Sequence, residues 1–150
     1  MNVDANKALI RRFYEEVWAR GNVGFADEVF ADHYVRHDLR PTKAAQGAAG
    51  QALIAEQFRS AFPDLEWRVD LVLGDGDLVA ARWTASGTHS GAWGDVAPTG
   101  RRATFSGVNI FRFGDDGLGT KSRNALTGKS VSRPATRFTL TLAVHSEVIS

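Results

Sequence analysis

The sequence predicts a single α+β domain, with helices laid over one face of a curved sheet. Three observations carry this. Apolar residues recur at helical spacing up to Pro63 and at every second position after it. Turn signals, GDGD at 74–77 and GDDG at 114–117, divide the second half into runs of strand length. The 150 residues suffice for one hydrophobic core but not comfortably for two. Helices first and a meander of strands second is the order of an α+β domain rather than the alternation that builds a parallel sheet.

Across Asn6–Gly21, Leu9, Ile10, Phe13, Val17 and Trp18 share one helical face, while Arg11, Arg12, Glu15, Glu16 and Arg20 share the other. This predicts an amphipathic helix that Asp4 or Asn6 can cap and Gly21 can end. Phe25, Val29 and Phe30 predict a second, short helix. The polar stretch DHYVRHDLRP reads as a surface loop, which Pro41 closes to regular structure. Leu53, Ile54, Phe58, Ala61 and Phe62 predict a third helix over residues 50–62, ended by Pro63.

Beyond Pro63, Leu65, Trp67, Val69, Leu71 and Leu73 alternate with Glu66, Arg68, Asp70 and Val72, the pattern of a strand with one buried face. The GDGD turn returns the chain through LVAARWTASGTHSG as an antiparallel hairpin, and ATFSGVNIFRF supplies a third strand. After Gly117 the pattern fades. Only RFTLTLAVHSEV, residues 137–148, alternates well again, as a candidate last strand.

Composition narrows the function classes. Apolar residues at 43% and charged residues at 23% are ordinary for a globular protein. The apolar runs are far too short for a membrane span, and MNVDANKALIRR lacks the apolar stretch of a secretory signal, so a cytoplasmic address and no membrane partner are expected. Without cysteine there is no disulfide, no thiolate nucleophile and no cysteine-bound metal. Residues 1–116 carry 13 Lys+Arg against 16 Asp+Glu, whereas residues 117–150 carry 5 against 1. That basic tail has no arginine cluster and no interleaved aromatics, so nucleic acid is not an expected partner.

No phosphate-cradling glycine loop and no G-x-S-x-G elbow is present. His33 and His37, flanked by Asp32 and Asp38, are the only cluster of metal-ligand type, and solvated loop histidines are the better reading; no metal is expected. What remains is aromatic and polar. Tyr14 and Trp18 lie on the first helix, Phe58 and Phe62 on the third, Trp67 and Trp83 on the hairpin, and Trp93 in the following loop. Each ring alone reads as core filling, yet the group suits a cavity for a flat, largely apolar ligand. Asn109 interrupts Val108-Ile110-Phe111 and is either a satisfied core residue or a ligand contact. His89 follows Gly87-Thr88 in the same polar-in-apolar manner.

NKALIRRFYEEVW, YVRHD, FRSAFPDLEWRV, GDLVAARWTASGTHSG and PTGRRATFSGVNIFRF, in that order and covering most of residues 5–117, resemble the SnoaL-like polyketide cyclases and ester-cyclase relatives of the nuclear-transport-factor-2-like superfamily. The resemblance implies a cone of cystatin-like α+β type: a bent mixed sheet around a deep pocket, closed by the N-terminal helices. It also implies homodimers or higher homo-oligomers. The founding members close a ring of an aromatic polyketide by intramolecular aldol condensation, with neither metal nor cofactor. That chemistry needs a base for an acidic α-proton and donors for the enolate. On the YVRHD match His37 becomes the first catalytic candidate, with Asn109 orienting a carbonyl or enolate. Tyr14 would donate a hydrogen bond, Trp18 and Trp83 would stack on rings, Phe58, Phe62 and Phe111 would line the site, and His89 would lie toward its mouth.

The resemblance ends at residue 117, dividing the chain into a SnoaL-like domain, 1–117, and an atypical tail, 118–150, that is a candidate to complete the sheet. In the family the base is usually an aspartate on the last strand, shortly after a tryptophan. Residues 118–130, LGTKSRNALTGKS, contain neither. A genuine variant, replacement of the strand by 137–148 with His145 and Glu147, and a shifted reading frame near codon 118 each account for the change. Two functions therefore stand open: a cyclase, or a non-catalytic binding homologue without the carboxylate. An accessory hydroxylase, hydrolase or isomerase on the same scaffold is the third.

Overall fold

A computed structural model describes residues 2–37 and 46–131 of the chain. The first helix, α1, spans Val3–Phe13 and continues without a break into a π-helical turn, Tyr14–Ala19. Its cap is Asn2 rather than Asp4 or Asn6: the Asn2 side chain accepts from the backbone N–H groups of Asp4 and Ala5, each at 3.1 Å. Asn6 instead lies buried one turn in. Gly21 follows the helix at φ 78°, a left-handed backbone that glycine adopts without strain. A 3₁₀ turn, Val23–Phe25, and a four-residue helix, α2 (Ala26–Val29), come next.

The described part of the stretch read as a loop, residues 32–37, is strand. β1 runs Phe30–His37 and buries Phe30, Ala31 and Tyr34. Its polar composition concealed it, because one outer edge of the strand is left to solvent. Helix α3 spans Gly47–Ala61. The Ala61 carbonyl at its end accepts from the N–H groups of Ser90 at 3.2 Å and Gly91 at 3.1 Å, so the loop after β3 caps this helix.

Strands β2 (Glu66–Asp75), β3 (Leu78–Thr88) and β4 (Arg102–Phe113) form the expected antiparallel meander. β5 spans Gly119–Val131, within the segment where the apolar pattern fades. It pairs with β4 antiparallel and with β1 parallel, giving the order β1-β5-β4-β3-β2 in a curved, unclosed mixed sheet. Residues 119–131 thus form an interior strand, between β1 and the central strand β4, and the sheet's edges are β1 and β2. Residues 137–148, with His145 and Glu147, lie outside the described residues.

The core sits between the helices and one sheet face. Ile10, Phe13 and Val17 are fully buried against Val79, Ala81 and Phe111, and each such large side chain contributes about 1.5–3 kcal/mol. The opposite sheet face is mixed: Thr84 donates to Asp70 there at 2.6 Å, while Leu71 and Leu73 lie exposed on it.

Candidate active site

Strand register decides which polar groups share the helix-covered face. Cross-strand partners in an antiparallel pair point to the same side. Phe111 faces Ser122, Asn109 faces Asn124 and Gly107 faces Leu126 across β4 and β5, while Ala81 faces Asn109 and Trp83 faces Gly107 across β3 and β4. A short polar row, Asn109, Asn124 and Ser122, therefore crosses an otherwise apolar surface beneath α1 and the π turn.

Asn109 is 6% exposed and makes two side-chain bonds. Its Nδ2 donates to the Tyr14 hydroxyl at 2.7 Å, and its Oδ1 accepts from the Trp83 indole Nε1 at 3.3 Å. The indole nitrogen only donates, so it fixes which end of the amide is oxygen. The amide nitrogen must then face Tyr14, which occupies the phenol oxygen as acceptor and leaves the phenol O–H to donate elsewhere. Burial pushes the Tyr14 phenol far above its ordinary range; the Arg36 guanidinium and the Asn109 bond oppose this without overcoming it. Tyr14 is consequently a neutral donor at physiological pH, not a base.

A second polar group adjoins it. The Tyr34 hydroxyl bonds the Ser122 hydroxyl, both buried, and Asn124 Nδ2 donates to Ser122 Oγ at 3.2 Å. Arg36 Nη1 reaches Gln51 Oε1 of α3 at 3.0 Å. Strand β1, β5 and α3 are thereby joined beside the Tyr14 cluster.

Aromatic rings form the remaining wall. Trp67 stacks on Trp83 with centroids 4.3 Å apart, Trp18 tilts against Trp67 at 4.5 Å, and Tyr14 stacks on Trp67 at 5.7 Å. Phe58 meets Trp18 and Trp93 edge-on at 5.8 and 5.2 Å, and Phe62 lies parallel to Phe58 at 5.1 Å. Trp83 can lie flat because its partner in β4 is Gly107: a Cβ there would run into the indole and stand 2.8 Å from the Ala125 carbonyl oxygen. The indole nitrogens of Trp18 and Trp67 are buried and have no hydrogen-bond partner among the described residues.

Tyr14, Trp18, Phe58, Phe62, Trp83, Asn109 and Phe111 thus come together on one face. His89 is buried nearer the end of α3, with Nδ1 3.0 Å from Thr99 Oγ1 and its ring 5.4 Å from Phe62. The His37 side chain is exposed at the end of β1, and its backbone oxygen accepts from Asn124 at 3.5 Å. Ser122, Asn124 and Gln51 were not candidates in the sequence. The two-residue spacing of Ser122, Asn124 and Leu126 was the available signal, but flanking Lys121 and Arg123 masked it. Among the described residues no Asp or Glu is buried, and no three His, Cys, Asp or Glu side chains gather as metal ligands would.

These features define the class of protein: an α+β domain whose curved, unclosed mixed sheet carries a polar cluster within an aromatic interior on its helix-covered face. Within that class the chain belongs to the SnoaL-like polyketide cyclase family, whose family model matches residues 8–119. Solved structures agree. AclR from Streptomyces galilaeus, provisionally named a hydroxylase, is similar with 25% identity and a TM-score of 0.71 over 84% of this chain and 77% of its own. A protein from Acidithiobacillus ferrooxidans, provisionally named a polyketide cyclase, shows 25% identity and a TM-score of 0.70 over 85% and 92%. IdmH from Streptomyces antibioticus, also provisionally named a polyketide cyclase, shows 27% identity and a TM-score of 0.66 over 81% and 91%. No curated protein matches by sequence. No helix among the described residues is long and apolar enough to cross a membrane.

Proposed function

We propose that this chain is a cofactor-free polyketide cyclase: it binds a planar, oxygen-bearing aromatic polyketide and closes one of its rings by intramolecular aldol condensation. The observation that carries this reading is the one-way hydrogen-bond chain from Trp83 through Asn109 to Tyr14. It aims a neutral phenol O–H, in a low-dielectric surround, at the oxygen of a carbonyl that becomes an enolate. Preorganised donors of this kind contribute most where negative charge develops. Removal of an α-proton creates that enolate, its carbon attacks a second carbonyl of the same molecule, the new alkoxide takes up a proton, and the resulting hydroxyl leaves with a neighbouring α-hydrogen as water to give the dehydrated ring. Asn109 acts through Tyr14 as a positioning residue, the aromatic stack holds the ring system, and His37 at the end of β1 is assigned the proton-accepting role.

The test is incubation with a soluble aromatic poly-β-ketone and mass-spectrometric detection of the dehydrated cyclic product. Turnover that falls in both His37→Ala and Asn109→Ala supports the assignment. Unchanged turnover in the double variant overturns it. A second reading, a non-catalytic ligand-binding homologue, is favoured by the lack of a buried carboxylate among the described residues; binding without any turnover by the unaltered protein selects it. The family resemblance further supports self-association, and Leu71 and Leu73, 42% and 58% exposed on the outer sheet face, supply an apolar surface for it. Light scattering of Leu71→Lys/Leu73→Lys against the unaltered chain tests that proposal.

A further inference from the structure

Trp18 and Trp67 stand out within the aromatic stack for what their nitrogens lack. An indole Nε1–H can only donate, and buried donors in folded proteins are almost always paired. Trp83, third in the stack, follows that rule by donating to Asn109. The Nε1 atoms of Trp18 and Trp67 are equally shielded from solvent and have no acceptor among the described residues. Their rings are 4.5 Å apart, and the Tyr14 ring stacks on Trp67 at 5.7 Å, so both indoles belong to the aromatic group that includes Tyr14. Phenylalanine at either position would fill apolar space without leaving a donor unmet, so packing alone does not account for indoles here.

Local structure holds these rings in place at some cost. Trp18 lies in a π-helical turn, a rare conformation that recurs at functional sites. Arg59 of α3 clamps the end of that turn by donating to the carbonyl oxygens of Trp18 at 2.7 Å and Ala19 at 3.2 Å.

We infer that the indole N–H groups of Trp18 and Trp67 form a second oxygen-accepting subsite beside Tyr14, selecting planar aromatic ligands that carry at least two carbonyl-type oxygens. This rests on the proposed reading of the same face as a ligand site. It adds a chemical requirement: the ligand presents acceptors, not hydroxyl donors, to the indole edges.

A matched pair of probes separates the two ideas. Anthraquinone-2-sulfonate and anthracene-2-sulfonate share outline and charge and differ in two carbonyl oxygens. Calorimetry is expected to show the quinone binding about tenfold or more tighter, as one or two hydrogen bonds to buried donors would give. In ¹H–¹⁵N spectra the Trp18 and Trp67 indole signals should move downfield with the quinone and not with the hydrocarbon. Replacing both residues by 3-benzothienylalanine, which keeps the ring shape and removes the N–H, should bring the ratio of the two affinities close to one. Equal affinity for the two probes, or a preference that survives the replacement, overturns the subsite but leaves the aromatic site standing. Failure of both probes to bind overturns the proposed function itself. The spectra of the unaltered protein decide the matter even if the replaced protein does not fold.

Discussion

The amide of Asn109 donates to the hydroxyl of Tyr14 across 2.7 Å, joining the central strand β4 to the first residue of the π-helical turn, 95 positions away in the chain. The bond holds the helix on the sheet and sets the direction in which the phenol can donate.

Reversing that direction is therefore more informative than deleting it. Asn109→Asp keeps the shape but presents only acceptors, so Tyr14 would turn its O–H onto the carboxylate. Affinity for anthraquinone-2-sulfonate is expected to fall about tenfold, the loss of roughly one hydrogen bond. Asn109→Leu removes the acceptor of Trp83 as well, and leaving a buried donor unmet should cost about 1–3 kcal/mol in urea unfolding.

Gly107 tests the seat of Trp83. Alanine there brings a methyl group into the indole and to 2.8 Å from the Ala125 carbonyl oxygen, in a strand paired on both sides. Neither neighbour can retreat freely. Gly107→Ala should destabilise by about 1–3 kcal/mol and alter tryptophan fluorescence through the displaced ring.

Arg59 tests the π turn. Its guanidinium satisfies carbonyl oxygens that the widened helix end leaves open, and charge-assisted bonds of this type are worth about 1.5–3 kcal/mol. Arg59→Ala should lower stability by that order and shift the Trp18 indole resonance most. Both bonds come from one guanidinium nitrogen, Nη1, so Arg59→Lys, whose ammonium also has donors for two carbonyl oxygens but sits on a shorter, less rigid side chain, should restore part of the stability.

Tyr14 predicts an alkaline limit. Burial raises its folded-state pKa above the ordinary value of 10.0. The contribution is complete below that value, where the phenol is neutral folded or unfolded. Above it only the unfolded chain releases the proton, so stability falls as pH rises further. The melting temperature should decline from about pH 10 upward, and less steeply in Tyr14→Phe.

Asp64 predicts the opposite limb. Its carboxylate accepts from the backbone N–H of Thr88 at 2.6 Å and from the Thr88 hydroxyl at 2.8 Å, which holds its pKa below the ordinary 3.8. Its contribution is present above that value and is lost as pH falls toward the folded-state pKa. Asp64→Asn should flatten the acid side of the melting curve. Unaltered acid sensitivity would count against the role.

Much of the fold was legible because its signals are local. Helical spacing in α1 and α3, alternation in β3 and β4 and the GDGD turn each report which face of a nearby segment is apolar; in β2 the expected facing fails beyond Val69, where a register shift before Leu71 buries Val72 and leaves Leu71 and Leu73 exposed. β1 and β5 escaped for one reason. Beyond the buried Phe30 and Ala31 at the start of β1, each buries few side chains, Tyr34 in one and Ser122 with the half-buried Asn124 in the other, and is held by backbone pairing that leaves little mark on composition. The basic residues Lys121 and Arg123 are exposed on β5 and read as tail although the strand is paired on both sides within the sheet.

By itself the sequence determined the α+β class, the family and the set of aromatic residues available to a site, since these depend on residue type and short-range period. Only the tertiary structure decided that Asn109 lies between Tyr14 and Trp83, that the indoles of Trp18 and Trp67 keep donors without a partner among the described residues, and that polar residues 119–131 form a strand between β1 and β4. Those outcomes depend on strand register and on contacts across tens of residues, and a shift of one position would have turned Asn109 and Ser122 to the opposite face.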